Sequence, residues 1–288
     1  VHGRAAVPLS GPEAEEVDVV TAIEASGLAF GYGGDAVFSG MDLRFEGDEG
    51  LVCILGPNGV GKTTLVRCLA GLLEPTAGRV LVDGADISAM SRRELAGKVS
   101  FVSSATGPQF PMTVSDTVLM GRSRGAGLRV PARDVSVAHD AMDVMGILDL
   151  RDRYVTELSA GQYQRVMIAR GLAQDAGAMI LDEPTSNLDM RSQMFVASFL
   201  RGMARAESRL VLMICHDINL ASKYADRLVA MVPQGRLYSY GTPEDVVTER
   251  FMSEVYGADC DVISHEGRPA VLMRGDSVRG SSGDSAWA

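Results

Sequence analysis

LVCILGPNGVGKTTLVRCLAGLL, residues 51–73, holds three signals in a row. LVCIL is a short apolar run of strand formers, GPNGVGKTT a glycine-rich turn, and KTTLVRCLAGLL carries apolar residues at helical spacing. The turn matches G-x-x-x-x-G-K-[ST] over Gly56, Pro57, Asn58, Gly59, Val60, Gly61, Lys62, Thr63 and Thr64. Glycines let the backbone curl with its N–H groups pointing inward at a phosphate. Lys62 can reach the outer phosphates, and the Thr63 hydroxyl can hold Mg²⁺. Strand, turn and helix are the context this chemistry requires.

Two further apolar runs end in ionisable residues. AMILDEP (178–184) closes on Asp182 and Glu183, and LVLMICHD (210–217) on His216 and Asp217. In open parallel sheets ligands gather at the carboxyl ends of strands. There Asp182 can hold Mg²⁺ directly or through water, and Glu183 can polarise an attacking water as general base. His216 can hydrogen-bond the γ-phosphate or that water. His2, His139 and His265 have no such setting.

Strands alternating with helices predict a mostly parallel sheet covered by helices. Before it, residues 23–45 read as antiparallel strands; within 106–157, TVSDTVLMGR and VSVAHDAMDVMGILDL read as a helical insertion. Met112, Met120, Met142 and Met145 are expected in its core, with a groove for a partner helix as the alternative. Arg122 and Arg124 are expected to be solvated. RLVAMVPQGRLYSYG predicts a hairpin and DVVTERFMSEVYG a helix. Residues 1–24 are expected to form a loose extension, and RGDSVRGSSGDSAWA (274–288) a disordered tail.

The chain has 288 residues, 46% of them hydrophobic, with formal net charge −10, which argues against a nonspecific nucleic-acid surface. No run reaches the length of a membrane span, and the opening residues show no basic segment leading into an apolar one, so neither span nor signal peptide is expected. Cys53, Cys68, Cys215 and Cys260 show no paired spacing and are expected as reduced, buried thiols.

In this order the elements resemble the ATP-binding subunit of ABC transporters, over about residues 27–257. GPNGVGKTT looks like the Walker A loop, AMILDEP like the Walker B strand, SNLD (186–189) like the D-loop, and LSAGQ (158–162) like the family signature, with Ala160 where a glycine is usual. His216 stands at the switch-histidine position. The resemblance implies an α/β P-loop NTPase core with an N-terminal antiparallel β-subdomain and a helical subdomain over about 106–164, inside an ATPase domain of 25–257; 258–288 would add strands and tail. It implies ATP and Mg²⁺ as cofactors, with Tyr32 stacking on adenine. It also implies a head-to-tail pair of such chains, in which Ser159, Ala160, Gly161 and Gln162 of one face the γ-phosphate on the other, and Asp189 supports communication across the interface.

FPMTVSDTVLMGR, LSAGQYQRVMIARGLAQ, HDINLASKYADR and GTPEDVVTERFMSEVYG together resemble ATPases of importers for iron–siderophore, haem or cobalamin. Zinc and manganese importer branches share some of this phrasing. The implied partners are transmembrane permease subunits, a second ATPase subunit and, indirectly, an extracytoplasmic substrate-binding protein, with no nucleic acid; the implied location is the cytoplasmic face of the membrane. One departure matters. FVSSATGPQF puts Ser104 where the family has a glutamine that reaches Mg²⁺ and couples the site to the helical subdomain, and Gln109 could substitute only if the loop folds differently. Serine is shorter by about two bonds. It implies slowed or less tightly coupled hydrolysis with binding retained, and leaves a regulatory or soluble ABC ATPase as the other reading.

Overall fold

The structure is a computed structural model that describes residues 22–103, 107, 110–123, 130–186 and 188–278. At its centre is a six-stranded sheet. Its strands are β3 (Leu51–Leu55), β6 (Val99–Val102), β7 (Ala178–Leu181), β8 (Leu210–Ile214), β9 (Arg227–Val232) and β10 (Arg236–Gly241), in spatial order β10-β9-β3-β8-β7-β6. Every pairing is parallel except that of β9 with β10, the hairpin read from sequence.

Continuous apolar runs form the inner strands because both faces are covered. In β3, Leu51, Cys53 and Leu55 pack on the helical side, while Val52 and Ile54 pack on the other core. The same alternation in β7 and β8 divides the molecule into three layers. One outer layer is an antiparallel sheet of β1 (Ala22–Tyr32), β2 (Asp35–Glu46), β4 (Ala77–Val82) and β5 (Ala85–Asp86), packed with α1 (Lys62–Leu69); α2 (Arg92–Lys98) leads into β6. The other holds α3 (Val114–Leu119), α4 (Ala132–Val144), α5 (Ala160–Ala173), α6 (Met190–Ala206) and α7 (Ile218–Tyr224). Then follow α8 (Pro243–Val246), α9 (Glu249–Tyr256) and a hairpin of β11 (Ala258–His265) and β12 (Arg268–Val278).

Four expectations are corrected. β1 starts at Ala22, three residues inside the segment read as a loose extension, because Ile23 is fully buried and pairs with both Phe45 and Val82. β12 runs to Val278, so the first five residues of the expected tail are strand. Met142 and Met145 are core, but Met112, ahead of α3, is only half-buried, and Met120 is half exposed, since α3 gives way to a 3₁₀ turn there. Arg122 is not solvated: it ion-pairs with Asp134 at 2.8 Å and donates to the Ala173 carbonyl at 3.0 Å, tying α4 to the end of α5. Arg124 lies outside the described residues.

All four cysteines are buried and free. Among the described residues no helix is long and apolar enough to cross a membrane.

Candidate nucleotide site

Three glycines shape the turn after β3. Gly56, Gly59 and Gly61 have φ of +147°, +79° and +97°, the region glycine enters without strain. A Cβ at Gly56 would lie 2.4 Å from the Met231 carbonyl, and one at Gly61 would lie 2.6 Å from Val37 of β2. Only glycine fits at either position. Val60 is buried beneath the loop, and α1 starts at Lys62.

The Lys62 ammonium is buried and donates to the carbonyls of Gly56 and Pro57 at 2.7 and 2.8 Å. Burial lowers its pKa, opposed by the nearby charges of Glu183 and Asp182. Thr63 donates through Oγ1 to Asp182 Oδ1 at 3.0 Å. Asp182 is 2% exposed; burial raises its pKa, and the Thr63 hydroxyl pulls the other way. Arg67, one turn further along α1, approaches Asp182 at 3.9 Å; the motif spacing gave no sign of it.

β7 and β8 are neighbours, so their carboxyl ends adjoin, and His216 Nε2 sits 2.6 Å from Glu183 Oε1. Glu183 has φ +53°, a left-handed conformation that costs a non-glycine residue about 1 kcal/mol or more. Ser186 holds it there, donating through its backbone N–H at 3.2 Å and its hydroxyl at 2.8 Å to the Glu183 carbonyl. Sequence alone gave Ser186 only a place in SNLD.

The other expected residues stand apart from this group. Tyr32 lies near the tip of the β1–β2 hairpin, 53% exposed, its ring edge-on to Phe30 at 4.9 Å. Val37 of the same hairpin abuts Gly61, so the tip stands beside the phosphate loop. Ser159 caps α5 in a reciprocal box: Gln162 N–H donates to the Ser159 hydroxyl at 3.3 Å, and Ser159 N–H donates to Gln162 Oε1 at 3.0 Å. Ala160 and Gly161 form the first turn behind that cap. Asp189 caps α6 by accepting from Ser192 N–H at 2.7 Å, which lowers its pKa. Ser104, Gln109 and Asn187 lie outside the described residues.

A polar cleft of about 460 Å³ lies at the opposite, N-terminal end of β3, lined by Asp48, Glu49, Arg205, Asp226, Arg227 and Arg268. Its charges face one another: Asp226 accepts from Leu51 N–H at 3.1 Å and pairs with Arg201 at 3.3 Å and Arg205 at 2.5 Å. It is a staple between β3, α6 and the start of β9.

The loop, the Thr63–Asp182 pair and the Glu183–His216 pair together could cradle a nucleoside triphosphate, hold a small hard cation and take a proton from water. A family model described as "ABC transporter" matches residues 38–186. The chain is 38% identical to the hemin import ATP-binding protein HmuV of Rhodopseudomonas palustris (strain BisB5), over 87% of this chain and 97% of that one. It is 34% identical to the petrobactin import ATP-binding protein FpuD of Bacillus anthracis, over 90% and 95%. Among solved structures it matches a chain described as a metal-chelate type ABC transporter in an inward-facing conformation, with TM-score 0.74 and 26% identity over 88% of this chain and 96% of that one.

Proposed function

The chain belongs to the ABC transporter family and is an ATPase, and from that premise we propose that it energises import of a metal chelate of the iron–siderophore, haem or cobalamin type. The observation that carries the catalytic part of the reading is the pairing of Thr63 with Asp182 and of Glu183 with His216 on adjoining strand ends. The cargo class rests on the import proteins that match along nearly their whole length.

In this reading the inward N–H groups of residues 56–64 take the ATP phosphates, and Tyr32 stacks on adenine. Lys62 turns from the Gly56 and Pro57 carbonyls to the outer phosphates. Thr63 and Asp182 offer two adjacent hard oxygens, a set that suits Mg²⁺ completed by phosphate and water. An ion held there by Thr63 and Asp182 would supply positive charge against the charge that develops on the phosphates. Glu183 accepts a proton from the attacking water as the bond to the leaving β-phosphate oxygen breaks. His216, 2.6 Å from Glu183, orients that carboxylate and reaches the γ-phosphate. Ser159 and Gly161 act from a second copy, placed head to tail, and Asp189 and the exposed Met190 and Met194 of α6 lie beside that junction. Permease subunits would dock on the helical layer, where Phe110, Met120 and Tyr154 are exposed. In this reading the chain works at the cytoplasmic face of the membrane. Ser104 slows or loosens the coupling of hydrolysis to transport, which Ser104→Gln tests: turnover and transport both unchanged would refute it.

The first experiment is a pull-down of the tagged chain from gently solubilised native membranes, with Glu183→Gln beside it. A many-helix membrane protein at comparable abundance, and ATP-dependent dimerisation of Glu183→Gln on gel filtration, are expected. Recovery only with ribosomes or nucleic acid would overturn the importer reading, and equal near-zero ATPase rates for both chains would favour a regulatory module.

A further inference from the structure

His216 occupies a short link between two elements. On one side Cys215 N–H donates to the Ile54 carbonyl at 3.2 Å, which fixes the link to the sheet. On the other, Asp217 caps α7 by accepting from Leu220 N–H at 2.9 Å. The imidazole itself is 42% exposed, so its direction is set by what holds these two ends. The sheet end is rigid. The helix end is not rigid on its own account: α7 has seven residues, well below the ~12–15 at which an isolated helix becomes even marginal in water.

β12 lies along the outer face of α7 and supplies what the helix lacks. The Asn219 side chain grips the backbone of Val271 twice, donating through Nδ2 to its carbonyl at 3.1 Å and accepting from its N–H at 2.8 Å. One turn on, the fully buried Ser222 donates to the Pro269 carbonyl. At the far end Arg268 donates to the Ala225 carbonyl at 3.1 Å and lies 4.0 Å from Asp226. Residues 268–271 thus run antiparallel to 219–225, bonded at three successive points. Asn219 is the point nearest His216, three residues from it. It belongs to the stretch HDINLASKYADR, in which the proposed chemistry uses only the histidine.

We infer that the C-terminal hairpin is a splint for the switch histidine, and that Asn219 is the positioning residue through which it acts. An amide matching both a carbonyl and an N–H of one residue fixes α7 in rotation as well as in translation. The Glu183–His216 contact of 2.6 Å tolerates little drift of either. The inference rests on the role proposed above for His216, yet its geometry can be read without turnover.

The test uses the full chain. Asn219→Ala is compared with wild type for kcat, KM for Mg-ATP and ATP affinity, and the His216 ring signals are followed by NMR with isotope-labelled histidine, assigned through His216→Ala. The expected result is a kcat lowered about tenfold, KM and affinity within about twofold, and displaced or broadened His216 signals. Asn219→Asp keeps the acceptor for Val271 N–H and loses the donor, so it should fall between, and it carries the test if the alanine variant does not fold. His216 signals that superimpose on wild type overturn the inference whatever the rate does, as does an unchanged kcat accompanied only by a lower Tm. A wild-type chain without ATPase activity would defeat the proposed function and leave the NMR comparison intact.

Discussion

Replacing Thr63 by valine removes one hydroxyl and little else, and it isolates the bond on which the cation-binding reading depends. In the folded chain that hydroxyl donates to Asp182 at 3.0 Å, and Asp182 is 2% exposed. The other approaching charge, Arg67, is 3.9 Å away on a side chain 42% exposed, and compensates little. A hydrogen bond to a charged acceptor is worth about 1.5–3 kcal/mol, so Thr63→Val should lower stability by about 2 kcal/mol without nucleotide. That corresponds to about 4–8 °C in Tm for a chain of this size. In the proposed site the same oxygen is one of two offered to Mg²⁺, so the Mg²⁺ concentration for half-maximal ATPase should rise about thirtyfold if a similar free energy is lost there. Chemical denaturation of the nucleotide-free chain and a Mg²⁺ titration of turnover read the two effects separately. A stability change under ~0.5 kcal/mol together with an unchanged Mg²⁺ requirement would refute the assignment of Thr63.

Asp182 also predicts a pH dependence. Its folded pKa is raised by burial, so the native chain binds this proton more tightly than the unfolded one. Stability due to this group therefore falls as pH climbs from the ordinary carboxylate value through the raised one, and is level above it. In nucleotide-free denaturation wild type should lose ground to Asp182→Asn across that window; a pH-independent difference would count against it. Gly56→Ala should cost about 2–4 kcal/mol, from a left-handed φ and a Cβ 2.4 Å from the Met231 carbonyl, measured as a lowered denaturation midpoint. Tyr32→Ala should raise the Kd for ATP about tenfold, the worth of one base–aromatic stack, while Tyr32→Phe stays within about twofold; equal effects in both would argue that the hydroxyl matters and the ring does not.

Local patterns reached far into this molecule. The phosphate loop announces itself because its glycines, lysine and threonine must be contiguous, and the β9–β10 hairpin because its turn residues sit between two apolar runs. Legibility ended where a residue's state depends on distant chain. Glu183 and His216 could be assigned to strand ends, but their contact follows from β7 and β8 being neighbours, an order no local signal contains. The left-handed turn at Glu183 depends on Ser186, whose hydroxyl carried no distinguishing spacing. Arg122 sits in a glycine- and arginine-rich stretch that reads as surface; its partner Asp134 belongs to the next helix and its acceptor Ala173 lies 51 positions away. The splint on α7 has the same origin, since Asn219 is separated from Val271 by 52 positions.

The cap on α5 has a consequence for how two copies could meet. Of the N–H groups left open at the start of a helix, those of Ser159 and Gln162 are closed off within the chain. What remains outward is the Ser159 hydroxyl proton, its oxygen already engaged, and the N–H groups of Ala160 and Gly161. The phosphate loop that would lie opposite is likewise lined with N–H groups and an ammonium. On the proposed pairing, then, these two sets of hydrogen-bond donors confront each other and have nothing to exchange with one another. Only a layer of acceptors inserted between them satisfies both. A triphosphate is such a layer, so association would depend on nucleotide through the polarity of the two faces themselves, with no separate sensor required.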